Sequence, residues 1–140
     1  MPDASTVLKD ALRQAGKEEK RLIVQETATW CGPCHLLTRF LNANREWEKD
    51  YILVKMDHRL EGARELMEEI RDGAEGGIPW LAILDAKGEK LITSNDSESG
   101  DNIGYPSSES GQEHFFKMLN ETRKRMTEEE VKAFIEKLKT

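Results

Sequence analysis

An α/β fold is predicted, with elements in the order α-β-α-β-α-β-β-α-α. Three observations lead there. Short apolar runs recur at Leu22-Ile23-Val24, at Tyr51-Ile52-Leu53-Val54 and at Trp80-Leu81-Ala82-Ile83-Leu84. Between and around them, apolar residues return at helical rather than alternating spacing. Asp85-Ala86-Lys87-Gly88 then separates the third run from a fourth at 89–93, which is the signature of a β-hairpin with Gly supplying the turn geometry.

Taken in order, Val7, Leu8, Ala11, Leu12 and Ala15 mark a first helix, with Gly16 as its stop. The strand at 22–24 follows and leads to the two cysteines. Leu37, Phe40, Leu41 and Trp47 predict a second helix of about three turns. After the strand at 51–54, Leu60, Ala63, Leu66, Met67 and Ile70 form an amphipathic helix closed by Asp72-Gly73. Residues 94–111, rich in Ser, Gly, Asn and Asp, read as a loop longer than compact folds usually carry without a functional reason. Phe115, Phe116, Leu119 and Met126 predict the next helix. Thr127-Glu128-Glu129-Glu130 is a capping box opening the last one, whose stripe is Val131, Phe134, Ile135 and Leu138. Trp47 and Trp80 are expected in the core or at a groove edge. With no repeat and no linker, residues 1–140 are expected to form one domain, with an insertion at approximately 95–125.

Charge and composition narrow the function classes. The chain has 21 basic and 27 acidic residues, a net charge of −6, which argues against a nucleic-acid or anionic-membrane surface. No apolar run approaches the ~18–20 residues of a membrane span. The opening Met1-Pro2-Asp3-Ala4 has no basic segment followed by an apolar one, so a cytoplasmic location is expected, or a periplasmic or secreted one if a leader has been removed.

Both cysteines lie in one run, Trp30-Cys31-Gly32-Pro33-Cys34. Half a zinc site is excluded, because there is no second Cys pair and His35, His58 and His114 are scattered. His35 is expected on an exposed helix surface, where it could titrate near neutral pH, and His58 and His114 are expected at the surface. A chance Cys-x-x-Cys is the other alternative, and Gly-Pro inside, Trp before and a strand leading in favour a redox-active dithiol over it. The thiolate is the nucleophile, and a strand-to-helix junction supplies unpaired N–H groups and a dipole that favour negative charge at Cys31. Pro33 suits a first helical turn, where its missing N–H costs nothing. Cys34, one turn further in, is expected to be the more buried. Cys31 is therefore the candidate nucleophile and Cys34 the resolving thiol, with Trp30 a flanking apolar contact.

Trp30 to Cys34 and the later Gly77-Ile78-Pro79 together resemble the thioredoxin-like family, over roughly residues 5–95 and the last helix. The resemblance implies a central mixed sheet of about four strands flanked by helices, here with an inserted loop and an extra helix before the C-terminal one. It implies a cis Pro79 lying against the cysteines, with Ile78 and Pro79 pairing to a substrate chain beside Trp30, Gly32 and Pro33. The Gly-Pro dipeptide resembles the reducing members, so net reduction of protein disulfides is expected. An upstream electron donor is implied, with no bound cofactor and a monomeric protein.

Three departures from the family stand out. Its buried Asp, six residues before the first Cys, is here Gln25, which cannot titrate. Adjacent Glu26 is the candidate proton relay, although strand alternation sends it to the opposite face; Lys55 resembles the Lys that accompanies the family's Asp, and a Glu26–Lys55 pair is expected to face solvent. The 94–111 stretch is the second. Residues 102–106, with Tyr105 a candidate substrate contact, form either a rim over the site or a plain cover for the extra helix. His35 stands where the family usually has Lys or Arg. The 95–101 stretch looks like a calcium loop, but Pro106 falls where the bidentate acid belongs. A rival class is a partner-binding module on the same fold, with the dithiol as a redox switch.

Overall fold

The computed structural model describes residues 2–139. Its elements are α1 (Ala4–Glu18), β1 (Arg21–Thr27), α2 (Gly32–Ala43), β2 (Tyr51–Asp57), α3 (Ala63–Arg71), β3 (Trp80–Leu84), β4 (Lys90–Thr93), α4 (Glu109–Thr122) and α5 (Glu128–Glu136), in the expected order. The strands form one mixed sheet in the order β2-β1-β3-β4. β1 and β2 are parallel because α2 carries the chain back between them. β3 runs antiparallel to β1, and β4 returns beside β3 through the predicted turn. In that turn Asp85 Oδ1 accepts from the Lys87 and Glu89 amides, and Gly88 takes φ +91°.

Alternation along the strands divides the interior in two. Leu22, Val24, Val54, Met56, Trp80 and Ala82 face α1 and α3. Ile23, Leu81 and Ile83 face α2, α4 and α5, where Leu37, Leu41, Phe115, Met118 and Phe134 close over them. Burying such side chains is the main favourable term, at about 25 cal/mol per Å² of apolar surface. β1 lies at the centre of both halves, which is why its last six residues are all buried.

Several boundaries depart from expectation for identifiable reasons. Gly16 does not stop α1. The helix runs on to a cap at Glu19, whose left-handed φ of 54° ends it instead. Trp47 lies outside α2, in a 3₁₀ turn at Glu46–Lys49, where its indole N–H donates to the Leu41 carbonyl at 3.0 Å. Met126 lies beyond α4, buried in the turn to α5, and Gly111 lies within α4 because Ser108 caps the helix. The Thr127–Glu130 capping box forms with both reciprocal bonds.

The turn between α4 and α5 is held from a distance. Asp50 is fully buried, and its carboxylate accepts from the amides of Lys124, Arg125 and Met126 at 2.8, 2.7 and 2.9 Å. Beside it Tyr51 donates to the Leu119 carbonyl at 3.0 Å and pairs with Thr122. Burial pushes the Tyr51 phenol up to about 12, so it remains a neutral donor. Arg125 reaches back to the carbonyls of Glu18, Glu19 and Lys49. His114, expected at the surface, is buried, because its ring bonds the Thr93 carbonyl at 2.8 Å and fastens α4 to the sheet edge.

Candidate active site

β1 ends at Thr27, and three residues later the chain turns into α2. Cys31 is the N-cap of that helix, with extended backbone at φ −93° and ψ 104°, and its Sγ accepts from the Cys34 amide at 3.1 Å. The side chain thus occupies the position where a helix start leaves amide donors unpaired. Gly32 and Pro33 form the exposed first turn. Cys34 lies on the inner face, fully buried, and Cys31 is 4% exposed. The two are joined as a disulfide with Cα atoms 5.3 Å apart. The chain is therefore in its oxidised form.

The second motif meets the first. The Ile78–Pro79 bond is cis, and the Ile78 carbonyl oxygen stands 3.7 Å from Cys31 Sγ. Pro79 is buried at the start of β3, while Ile78 is half-buried. Trp30 is 71% exposed, the most open of the large apolar side chains among the described residues, and its ring tilts toward His58 at 6.4 Å. Trp30 is thus the exposed apolar side chain next to a nearly covered sulfur. His35 is exposed as expected, and its ring bonds the Thr29 carbonyl at 2.8 Å, steadying the turn that carries Trp30.

Gln25 lies beneath α2. Its amide makes long contacts to the Cys34 carbonyl at 3.4 Å and to the Thr38 hydroxyl at 3.5 Å, while its own buried oxygen has no partner among the described residues.

Glu26 corrects the sequence reading. It does point to the face opposite Gln25, but that face is the covered interior under α1 and α3, so it is only 7% exposed. Lys55 is exposed and sits in register with Gln25 rather than Glu26. The partners of Glu26 are the His58 ring at 2.7 Å and Arg71 Nε at 2.8 Å. His58 is accordingly no surface residue. The Arg71 guanidinium lies over the Trp80 ring, 4.9 Å from its centroid. Nothing in the apolar periodicity signals Arg71 or His58, since each stands beside other polar residues and its partner is more than thirty positions away. Glu26→Ala would leave the buried guanidinium unmatched and is expected to cost about 3–5 kcal/mol in urea unfolding, with Glu26→Gln costing less.

Tyr105 and Ile103 pack against the α2/α4/α5 half of the core. The cover reading therefore describes those two side chains. Their neighbour Asn102 turns the other way and touches the loop before Pro79, donating to the carbonyls of Gly77 and Pro79 at 3.0 and 2.9 Å.

Comparison with known proteins bears on the family and the fold. A family model described as thioredoxin-like matches residues 3–86. Thioredoxin of Echinococcus granulosus is 44% identical over 48 residues, 34% of this chain and 45% of that protein. Human thioredoxin is 33% identical over 55 residues, 39% and 50% of the two chains. The chain thus spans about half the length of these relatives. Among solved structures, a disulphide isomerase from Xylella fastidiosa Temecula1 superposes with a TM-score of 0.58 at 21% identity, covering 99% of this chain and 92% of its own. Oxidised thioredoxin O2 of Arabidopsis thaliana gives 0.50 at 22%, covering 66% and 76%. These two show the shared fold. Among the described residues, no helix is long and apolar enough to cross a membrane.

Proposed function

The chain belongs to the thioredoxin-like family, and on that footing we propose that it is a thiol–disulfide oxidoreductase that reduces protein disulfides. The observation that carries the reading is the cap geometry: Cys31 Sγ receives the Cys34 amide at 3.1 Å at the start of α2, beside an exposed Trp30. A sulfur held there is stabilised as the thiolate by amide donors and by the helix dipole.

In the reduced protein, the Cys31 thiolate attacks one sulfur of the substrate disulfide. A Cys31–substrate S–S bond forms, the substrate S–S bond breaks, and the departing sulfur is protonated. Cys34 then gives up its proton and attacks Cys31 Sγ, releasing the second substrate sulfur. Two electrons pass to the substrate, which takes one proton from solvent at the first departing sulfur and one from Cys34 and leaves as two thiols, and the protein is left with the Cys31–Cys34 disulfide. Gln25 cannot carry a proton, so the Cys34 proton goes to the departing substrate sulfur in this scheme. An external dithiol donor must supply two electrons for the next cycle.

Cys34→Ser tests the order of events. Mixed with oxidised insulin, the reduced variant is expected to accumulate a covalent adduct on Cys31, seen by non-reducing electrophoresis and peptide mass. A variant that reacts but retains no adduct would sink the assigned roles.

A further inference from the structure

Resting on the reading above, we propose that Asn102 and Arg71 are positioning residues that hold the 74–79 loop so that the Ile78 backbone is presented to a substrate chain beside Cys31. Neither residue belongs to the two motifs, and one comes from the 94–111 stretch.

The argument is an accounting of carbonyls, since every polar backbone group must find a partner or face solvent. Arg71 donates to Ala74 at 3.3 Å, to Gly76 at 2.9 Å and to Gly77 at 3.0 Å. Asn95 donates to Glu75 at 2.9 Å. Asn102 donates to Gly77 and Pro79. Among the described residues, the Ile78 carbonyl is the one in this loop with no N–H donor, and its polar neighbour is Cys31 Sγ. The loop is tied down at every step except the one that faces the sulfur.

The orientation of Asn102 is itself imposed. Buried Ser94 accepts from the Leu81 amide at 2.8 Å and donates its own hydroxyl to Asn102 Oδ1 at 2.7 Å. With Oδ1 engaged as acceptor, the amide nitrogen must face Gly77 and Pro79. Room for it is made by Gly76, at φ +117°, where an added Cβ would come within 2.6 Å of Asn102 Cβ. Arg71 is oriented from behind by Glu26. A substrate segment pairing with Ile78 therefore meets a preformed edge, and binding need not order it.

Asn102→Asp keeps the shape but replaces the donor by a carboxylate facing two carbonyls. Gly76→Ala displaces Asn102 while leaving both donors in the chain. Each reduced variant is to be assayed against insulin and against a small aromatic disulfide that makes no backbone contact, with thermal unfolding run in parallel. The expected result is a rise of roughly tenfold in KM for insulin with kcat nearly unchanged, and an unaltered rate with the small disulfide. Unchanged KM in a folded variant, or an equal fall with both substrates, overturns the positioning role. If Asn102→Asp does not fold, Gly76→Ala and Ser94→Ala decide by the same criteria. Failure of the unmutated protein with both disulfides would count against the oxidoreductase reading instead.

Discussion

Cys31→Ser is expected to bring disulfide exchange down to the uncatalysed background, with the fold intact. The loss is chemical. A serine hydroxyl at the cap still accepts the amide of residue 34, so the start of α2 keeps its bond. It is not ionised near neutral pH and cannot form a disulfide. Cys34 cannot substitute, because it is fully buried on the inner face of the helix. Insulin reduction should vanish while urea unfolding changes only by the loss of a disulfide that closes a very short loop. Residual activity above one part in a hundred would mean that the exposed nucleophile has been misassigned.

The second large effect is one of stability. Asp50→Ala is expected to destabilise the protein by at least ~3 kcal/mol, because three amide donors at residues 124–126 lose their shared acceptor inside the structure. Each unsatisfied donor costs roughly 1–3 kcal/mol, and the Met126 amide among them is buried. Asp50→Asn keeps one oxygen in place and should recover part of the loss. The measurement is urea unfolding, with near-ultraviolet circular dichroism reporting on Trp47 nearby. A change below 1 kcal/mol for Asp50→Ala would show that the α4–α5 turn is held by apolar packing alone.

What was legible in the sequence was whatever leaves a local signature. The order of elements follows from period and apolar runs, the Thr127 capping box from four adjacent residues, and the dithiol from five. The burial of Glu26 is not legible there, because alternation tells which residues share a face, not whether that face is covered. Here α1 and α3 cover one face of β1 as α2, α4 and α5 cover the other, and a buried carboxylate needs Arg71 and His58, which no spacing rule connects to it. His114 was misplaced for the same reason: a helical His facing the sheet finds a carbonyl, Thr93, that belongs to a strand end. The roles of Asn95 and Asn102 are opaque in the sequence because their contacts run from side-chain amides to backbone carbonyls. Such contacts leave no hydrophobic pattern. The one residue in their vicinity with a readable hint is Gly76, beside Gly77, where paired glycines mark a close approach of another chain segment.

Asp50 also constrains the order in which the chain can finish folding. The bonds at residues 124–126 span separations of 74–76 positions, and Arg125 closes on Glu18 and Glu19 across 107 and 106. Such closures come late, since chain entropy must be spent before distant contacts return anything. During synthesis the redox motif, complete by residue 34, emerges long before the helices that cap the sheet beneath it. The half of the interior under α4 and α5 is therefore completed by elements that follow the redox motif in the chain.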